Sequence, residues 1–183
     1  MDEYFTLSNF GVHYFLEDYT SNNPIPTTGT NEMDGVISCT LGEVTKDIKR
    51  YKTLNGNGWD TIAPLGQSQG DGTFELVRLG EGDAYVGTAG TSTYTKLKKW
   101  FMDSAAEGGS AAPKAVVEVV PRGDGTYEGT VYHVIPNKWG AGRKDTETGQ
   151  EYNFTVTPFG PQYPVTVTHT VSQGTETWTF AEP

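Results

Sequence analysis

Four glutamates, Glu75, Glu118, Glu128 and Glu151, each fall inside a run that reads as β-strand. Two carboxylates facing one another across a cleft are what glycoside hydrolysis requires. Each of these four, however, occupies the polar phase of its alternation, where a solvated sheet face accounts for it without catalysis. The histidines His13, His133 and His169 lie in three separate strand-like runs with no metal-type spacing, and the single cysteine, Cys39, adds little to them. Zinc needs convergent Cys or His ligands, so neither a metal site nor a cofactor is expected. No Gly-x-Ser-x-Gly, phosphate-cradling loop or His-Glu-x-x-His helix is present. The expectation is a protein that is not an enzyme.

Aromatic residues support a different chemistry. Trp59, Trp139 and Tyr163 sit beside Gly, Pro or Asn, where loops would present them as stacking platforms for a sugar. A monomeric β-sandwich carbohydrate-binding module is therefore the alternative reading. Arg122-Gly123-Asp124 spells an adhesion tripeptide, but its place before Gly125 makes it ordinary turn chemistry. Asn153-Phe154-Thr155 matches a glycosylation sequon in a chain that begins with no basic-plus-apolar leader.

The elements that must position these residues are mostly strands. Candidates fall at 35–41, 72–79, 114–120, 126–135, 150–157, 163–170 and 175–180. Tyr152, Phe154 and Val156 share one face of their run, and Val165 and Val167 alternate with Thr166, Thr168 and Thr170. Asp124-Gly125 is a hairpin signal, because both residues tolerate the positive φ that a tight turn needs. One helix interrupts the series. Thr91, Ser92 and Thr93 are N-cap candidates, Tyr94, Leu97 and Phe101 are its core anchors at helical spacing, and Gly108-Gly109 ends it.

Between the first two strands, residues 42–72 carry no core signature and are expected as a long inter-strand loop, usually a binding or assembly device. Lys46, Lys49, Arg50, Tyr51, Lys52 and Trp59 are its candidate contact residues. The first 34 residues contain Asp2, Glu3, Glu17, Asp18, Glu32 and Asp34 but no Lys or Arg. They read as an acidic N-terminal arm, with a β-sandwich domain over 35–171 and a C-terminal strand or arm over 172–183.

Bulk composition agrees with one β-rich core. The 183 residues are 12% aromatic, with 23 glycines and 10 prolines to punctuate short strands. A formal net charge of −10 argues against a surface built to grip nucleic acid, although not against one that nucleic acid passes without sticking. No apolar run approaches membrane-spanning length, and the expectation is a chain made in the cytoplasm with no membrane partner.

The order of parts, together with the runs Tyr51-Lys52-Thr53-Leu54-Asn55-Gly56-Asn57-Gly58-Trp59, Thr88-Ala89-Gly90-Thr91-Ser92-Thr93-Tyr94, Val134-Ile135-Pro136-Asn137-Lys138-Trp139 and Phe154-Thr155-Val156-Thr157-Pro158-Phe159-Gly160-Pro161, resembles the tail tube (major tail) proteins of long-tailed bacteriophages. The resemblance spans about residues 35–170. It implies a mainly β fold, an antiparallel β-sandwich or half-barrel with one flanking α-helix, a long inter-strand loop and extended terminal arms. It also implies homo-hexameric rings that stack into a tube through the loop and arms. The partners it implies are a tape-measure protein, tail terminator or tip proteins, and genomic DNA in transit without specific binding. The place it implies is the virion, in the phage tail. Glu75, Glu118, Glu128 and Glu151 are then candidates to line an acidic lumen, with or without a contractile sheath around the tube.

Overall fold

The computed structural model describes residues 11–52, 60–78, 93–106, 112–145 and 149–183. Within them the chain is mainly β and antiparallel, with one helix, as the alternation predicts. In β1 (His13–Asp18), Tyr14, Phe15 and Leu16 are all buried. Successive strand residues point to opposite faces, so three apolar residues in a row need a core on each side. The antiparallel partner β7 (Lys114–Pro121) repeats the pattern with Ala115, Val116 and Val117.

From β7 the chain turns into β8 (Tyr127–Asp145), which pairs along its length with β9 (Gly149–Ser172). The 24 residues of β9 serve two further partners. Its first half pairs with β6 (Gly72–Val77), which in turn pairs with β3 (Val36–Thr40). Its second half pairs with β10 (Thr175–Ala181), whose other edge takes the two-residue β2 (Thr28–Gly29). Two apolar clusters result, on opposite faces of the shared strands. One contains Leu16, Phe74, Leu76, Val116, Phe154 and Val156 and is closed by Leu97 and Trp100 of helix α1 (Thr93–Ala106). The other contains Phe15, Val117, Val131, Val165, Trp178 and Phe180. The molecule is thus a sheet curled one way over the first cluster and the other way over the second, two half-barrels with a common wall.

Two expectations are corrected. Residues 42–72 are not a structureless loop: β4 (Val44–Lys52) and β5 (Asp60–Gln69) form a two-stranded antiparallel sheet of their own. Its strands were hidden because, among the described residues, they pair only with each other and no larger sheet imposes an alternation on them. Nor is the segment around β1 an arm, since β1 pairs over six positions with β7 and is among the most buried strands. The C-terminal run forms the strand expected at 175–180, as β10, entered through a tight turn with Gln173 at φ 50° and Gly174 at φ 78°. In addition, β8 and β9 run through Pro136, Pro158 and Pro164, where separate shorter strands were expected. Register shifts between Val131 and His133 and between Pro136 and Lys138 lie among these prolines, and bulges are where a sheet tolerates them.

The segment after β1 joins the two curls. Leu16 N–H donates to the Asn31 carbonyl at 2.9 Å and Met33 N–H to the Tyr14 carbonyl at 2.7 Å, after which the chain leaves for β3. Glu17, only 7% exposed, fixes this crossing. Its carboxylate accepts the backbone N–H groups of Thr30 (2.6 Å) and Asn31 (2.8 Å), the Asn31 amide (3.0 Å) and the Thr30 hydroxyl (3.2 Å). Glu17→Gln keeps the shape but turns an N–H₂ donor toward donors. We expect a loss of about 1–3 kcal/mol, read as a lower denaturant midpoint at unchanged slope.

Candidate functional site

The four strand glutamates do not converge. Direct cross-strand partners share a face, so the register of β6 with β9, Glu75 opposite Asn153 and Val77 opposite Glu151, puts Glu75 and Glu151 together on the face away from the first cluster. Glu118 and Glu128 lie on the opposite face, that of Val116. Glu75 and Glu128 are each already engaged. Ser38 donates its hydroxyl to Glu75 at 2.9 Å, and Arg122 donates Nε and Nη2 to Glu128 at 3.1 and 3.0 Å.

Glu118, like Glu151, is half-buried. Tyr14 and Tyr132 each donate a phenol to it at 3.2 Å, one to each carboxylate oxygen. Burial, then the neighbouring Cys39 and Glu118, pushes the Tyr14 phenol far above its ordinary value. Burial and Glu118 push Tyr132 up to about 12, and burial pushes the Cys39 thiol up to about 12. Phenols and thiol held neutral around one carboxylate form a structural knot at the edge of the first cluster, not an acid–base pair.

The histidines are also absorbed into packing. His13 Nδ1 lies 2.6 Å from Glu32, His133 Nε2 lies 2.7 Å from the Pro24 carbonyl, and His169 stacks on Trp178 at 4.0 Å. Trp139 stacks on Tyr152 and meets Tyr94 and Phe154, while Tyr163 packs on the second cluster beside His133. Neither ring is presented as a sugar platform. Trp59 lies outside the described residues. Asp124 accepts the Thr126 N–H, and this turn, with Gly123 and Gly125 at φ 82° and 84°, commits the tripeptide to hairpin geometry.

Of the helix anchors, Leu97 is fully buried and Tyr94 and Phe101 pack half-buried against the first cluster. The sequence reading missed Trp100, 6% exposed, whose indole donates to the Ala112 carbonyl at 2.7 Å. Its spacing of three from Leu97 was the available signal, masked by the adjacent Lys98 and Lys99.

Two surfaces remain. The β4–β5 ribbon carries Lys46 and Lys49 exposed, with Arg50, Tyr51 and Lys52 in β4 opposite Ile62, Thr61 and Asp60. Its base is tight: Gly70 N–H donates to the Glu43 carbonyl, and a Cβ at Gly42 would fall on the Gly70 carbonyl. The second is the outer face of the β9–β10 hairpin. Thr168 pairs with Thr179, Thr170 with Thr177 and Ser172 with Thr175, while Thr166 faces Glu128 on β8. All six threonines are exposed. The Thr-x-Thr-x-Thr phase of β10 was legible, but its junction with that of β9 depends on the Gln173-Gly174 turn.

No family model matches the chain, and no curated protein matches it. Solved structures do. A chain of the sheath-tube complex of an extracellular contractile injection system (PVC), in its extended state, is 12% identical with a TM-score of 0.56, over 90% of this chain and 95% of that one. A chain of the tube-terminating cap of the anti-feeding prophage gives 12% and 0.55, over 91% and 95%. One from the PVC sheath/tube terminator gives 12% and 0.52, over 78% and 99%. At these identities the likeness is one of fold, nearly end to end.

The phenol cluster makes the fold alkali-sensitive. Tyr132 keeps its proton in the folded chain to about pH 12 but loses it near 10 when unfolded. The stability this contributes is intact below pH 10 and lost as pH rises toward 12. Phenolate absorbance is expected to show a late-titrating tyrosine fraction that shrinks in Tyr132→Phe.

Proposed function

We propose that this chain is a structural subunit of a phage-tail-like tube, with no catalytic step. The observation that carries the reading is the fold likeness to chains of tube, terminator and cap assemblies, which extends over nearly the whole of both partners in the best-covered pairs. Two features of the chain support it. The β4–β5 ribbon stands as a separate two-stranded sheet, and isolated ribbons of this kind are marginal in water until something packs on them. Also, among the described residues β3 pairs only with β6 and leaves Ile37 57% exposed, an edge suited to extension by a neighbouring copy.

On this reading copies close into hexameric rings, since closure satisfies sheet edges without open aggregation. The rings stack through the β4–β5 ribbon, with Lys46, Lys49, Arg50, Tyr51, Lys52 and Trp59 as inter-ring contacts. The tube conducts the genome in the virion and meets a tape-measure protein and terminator or tip proteins at its ends. A second reading is favoured by the cap and terminator neighbours: a subunit that ends a tube instead of forming its length.

Electron microscopy of the purified chain over a concentration series separates the two. Stacked rings or hollow tubes support the tube subunit, single rings the terminating subunit, and monomers at every concentration, even with preformed tube ends added, count against both. Joining Gly42 to Gly70 without the ribbon should leave thermal unfolding within a few degrees of the full chain and abolish stacking. Normal tubes from that variant would remove the ribbon from the assembly.

A further inference from the structure

The β4–β5 ribbon joins the main sheet through two short connectors. On one side Leu41 packs against the first cluster, and Gly42-Glu43 lead from it into β4. On the other, β5 ends at Gln69, Gly70-Asp71 follow, and Gly72 pairs with Val156 as the first residue of β6. The Gly70 N–H donates to the Glu43 carbonyl and the Gln69 amide to the Gly42 carbonyl, each at 3.2 Å. These bonds tie the connectors to each other and not to the sheet. Each connector also contains a glycine, the residue with the least hindered backbone. Connectors of that kind leave the direction of the ribbon to be set by another contact.

We propose that Asp71 is the positioning residue that sets this direction, through a clasp with Asn137 and Thr157. Asn137 is the extra residue of a bulge in β8, since Pro136 lies opposite Val156 and Lys138 opposite the adjoining Thr155. A bulge re-aims the side chain it inserts. Here the Asn137 amide donates to Asp71 Oδ2 at 2.8 Å and to Thr157 Oγ1 at 2.9 Å, and the Thr157 hydroxyl donates to Asp71 Oδ1 at 2.8 Å. Both amide hydrogens and the one hydroxyl hydrogen are thereby used, and both carboxylate oxygens accept. Donors on two neighbouring strands hold one carboxylate from two directions, and hydrogen bonds to an ionised acceptor are the stronger kind. Asp71 and Asn137 are exposed, so this closed set of bonds orients the ribbon without belonging to the core. Its consequence for assembly rests on the tube reading above: the clasp aims the ribbon at the neighbouring ring.

The test reads the ribbon's direction in the dilute full chain, without tubes. Lys46→Cys on the ribbon and Thr168→Cys on the sheet, in a Cys39→Ala background, are spin-labelled. The labelled chain is diluted into unlabelled chain, so that electron–electron distances within one copy are measured. A single narrow distance peak is expected. Asp71→Ala and Thr157→Val are each expected to lose it to a broad distribution at unchanged far-UV circular dichroism, while Thr157→Ser, which keeps the hydroxyl, retains it. Should Asp71→Ala fail to fold, Thr157→Val against Thr157→Ser decides. A peak kept in folded Asp71→Ala or in Thr157→Val, one lost equally in Thr157→Ser, or a broad distribution in the parent overturns the clasp. So does a peak lost together with β signal, because the residues then hold the ribbon's fold and not its direction. Absence of tubes from a chain that shows the expected peaks fails the tube reading and leaves the clasp standing.

Discussion

The fold depends on one sheet segment being apolar on both faces. Tyr14-Phe15-Leu16 in β1 and Ala115-Val116-Val117 in β7 are each buried without a break. Burying a large apolar side chain fully is worth about 1.5–3 kcal/mol, so neither face can be given up. A single flat sheet cannot cover both faces of its own middle. The long strands β8 and β9 solve this by bending, each half carrying a different partner over a different side. Where the wraps are tightest, side chains are excluded. A Cβ at Gly29 would lie 2.8 Å from the rings of Phe15 and Phe180, and one at Gly129 would lie 2.7 Å from Val165.

Double-sided burial also explains how much of the fold was legible. The strand runs at 114–120, 150–157 and 163–170 were visible because each has at least one apolar phase, and the helix because Tyr94, Leu97 and Phe101 keep helical spacing. What no local pattern carries is which face an apolar phase meets. Phe154 and Val165 belong to the same strand, yet they enter different clusters on different sides. The glutamates inherit that ambiguity. Glu75 and Glu151 lie on one face and Glu118 and Glu128 on the other, a division set by cross-strand register. The β4–β5 ribbon was illegible for a different reason: among the described residues no other strand pairs with it, so no shared sheet imposes an alternation on it.

The same geometry decides what is left for function. Each half of β9 is covered on one face only, so the sheet exposes two polar surfaces on opposite sides, one around Glu75 and Asn153 and one around Thr168 and Thr179. Residues that looked like chemistry were drawn into holding this arrangement together. Trp139 and Tyr163 complete the clusters, Glu118 ties Tyr14 of β1 to Tyr132 of β8, and the three histidines bridge elements distant in sequence. A site assembled from such groups would cost the fold its joints.

The ribbon shows why assembly is the consistent reading. Its strands are nine and ten residues long, and the ladder shifts register between Asp47 and Ile48. Hydrogen bonds within it contribute little net, about 0.5–1.5 kcal/mol each, because water competes for the same groups. Fixing each residue's backbone costs roughly 1–2 kcal/mol. Among the described residues this ribbon pairs with no other strand, and its base is braced by the close approach of Gly42 to Gly70 and by the Gln69 amide donating to the Gly42 carbonyl. An element of that size persists in a compact protein when a second surface supplies the missing layer. On the proposed reading that surface is the next ring, so the part of the chain least able to stabilise itself is the part that assembly completes.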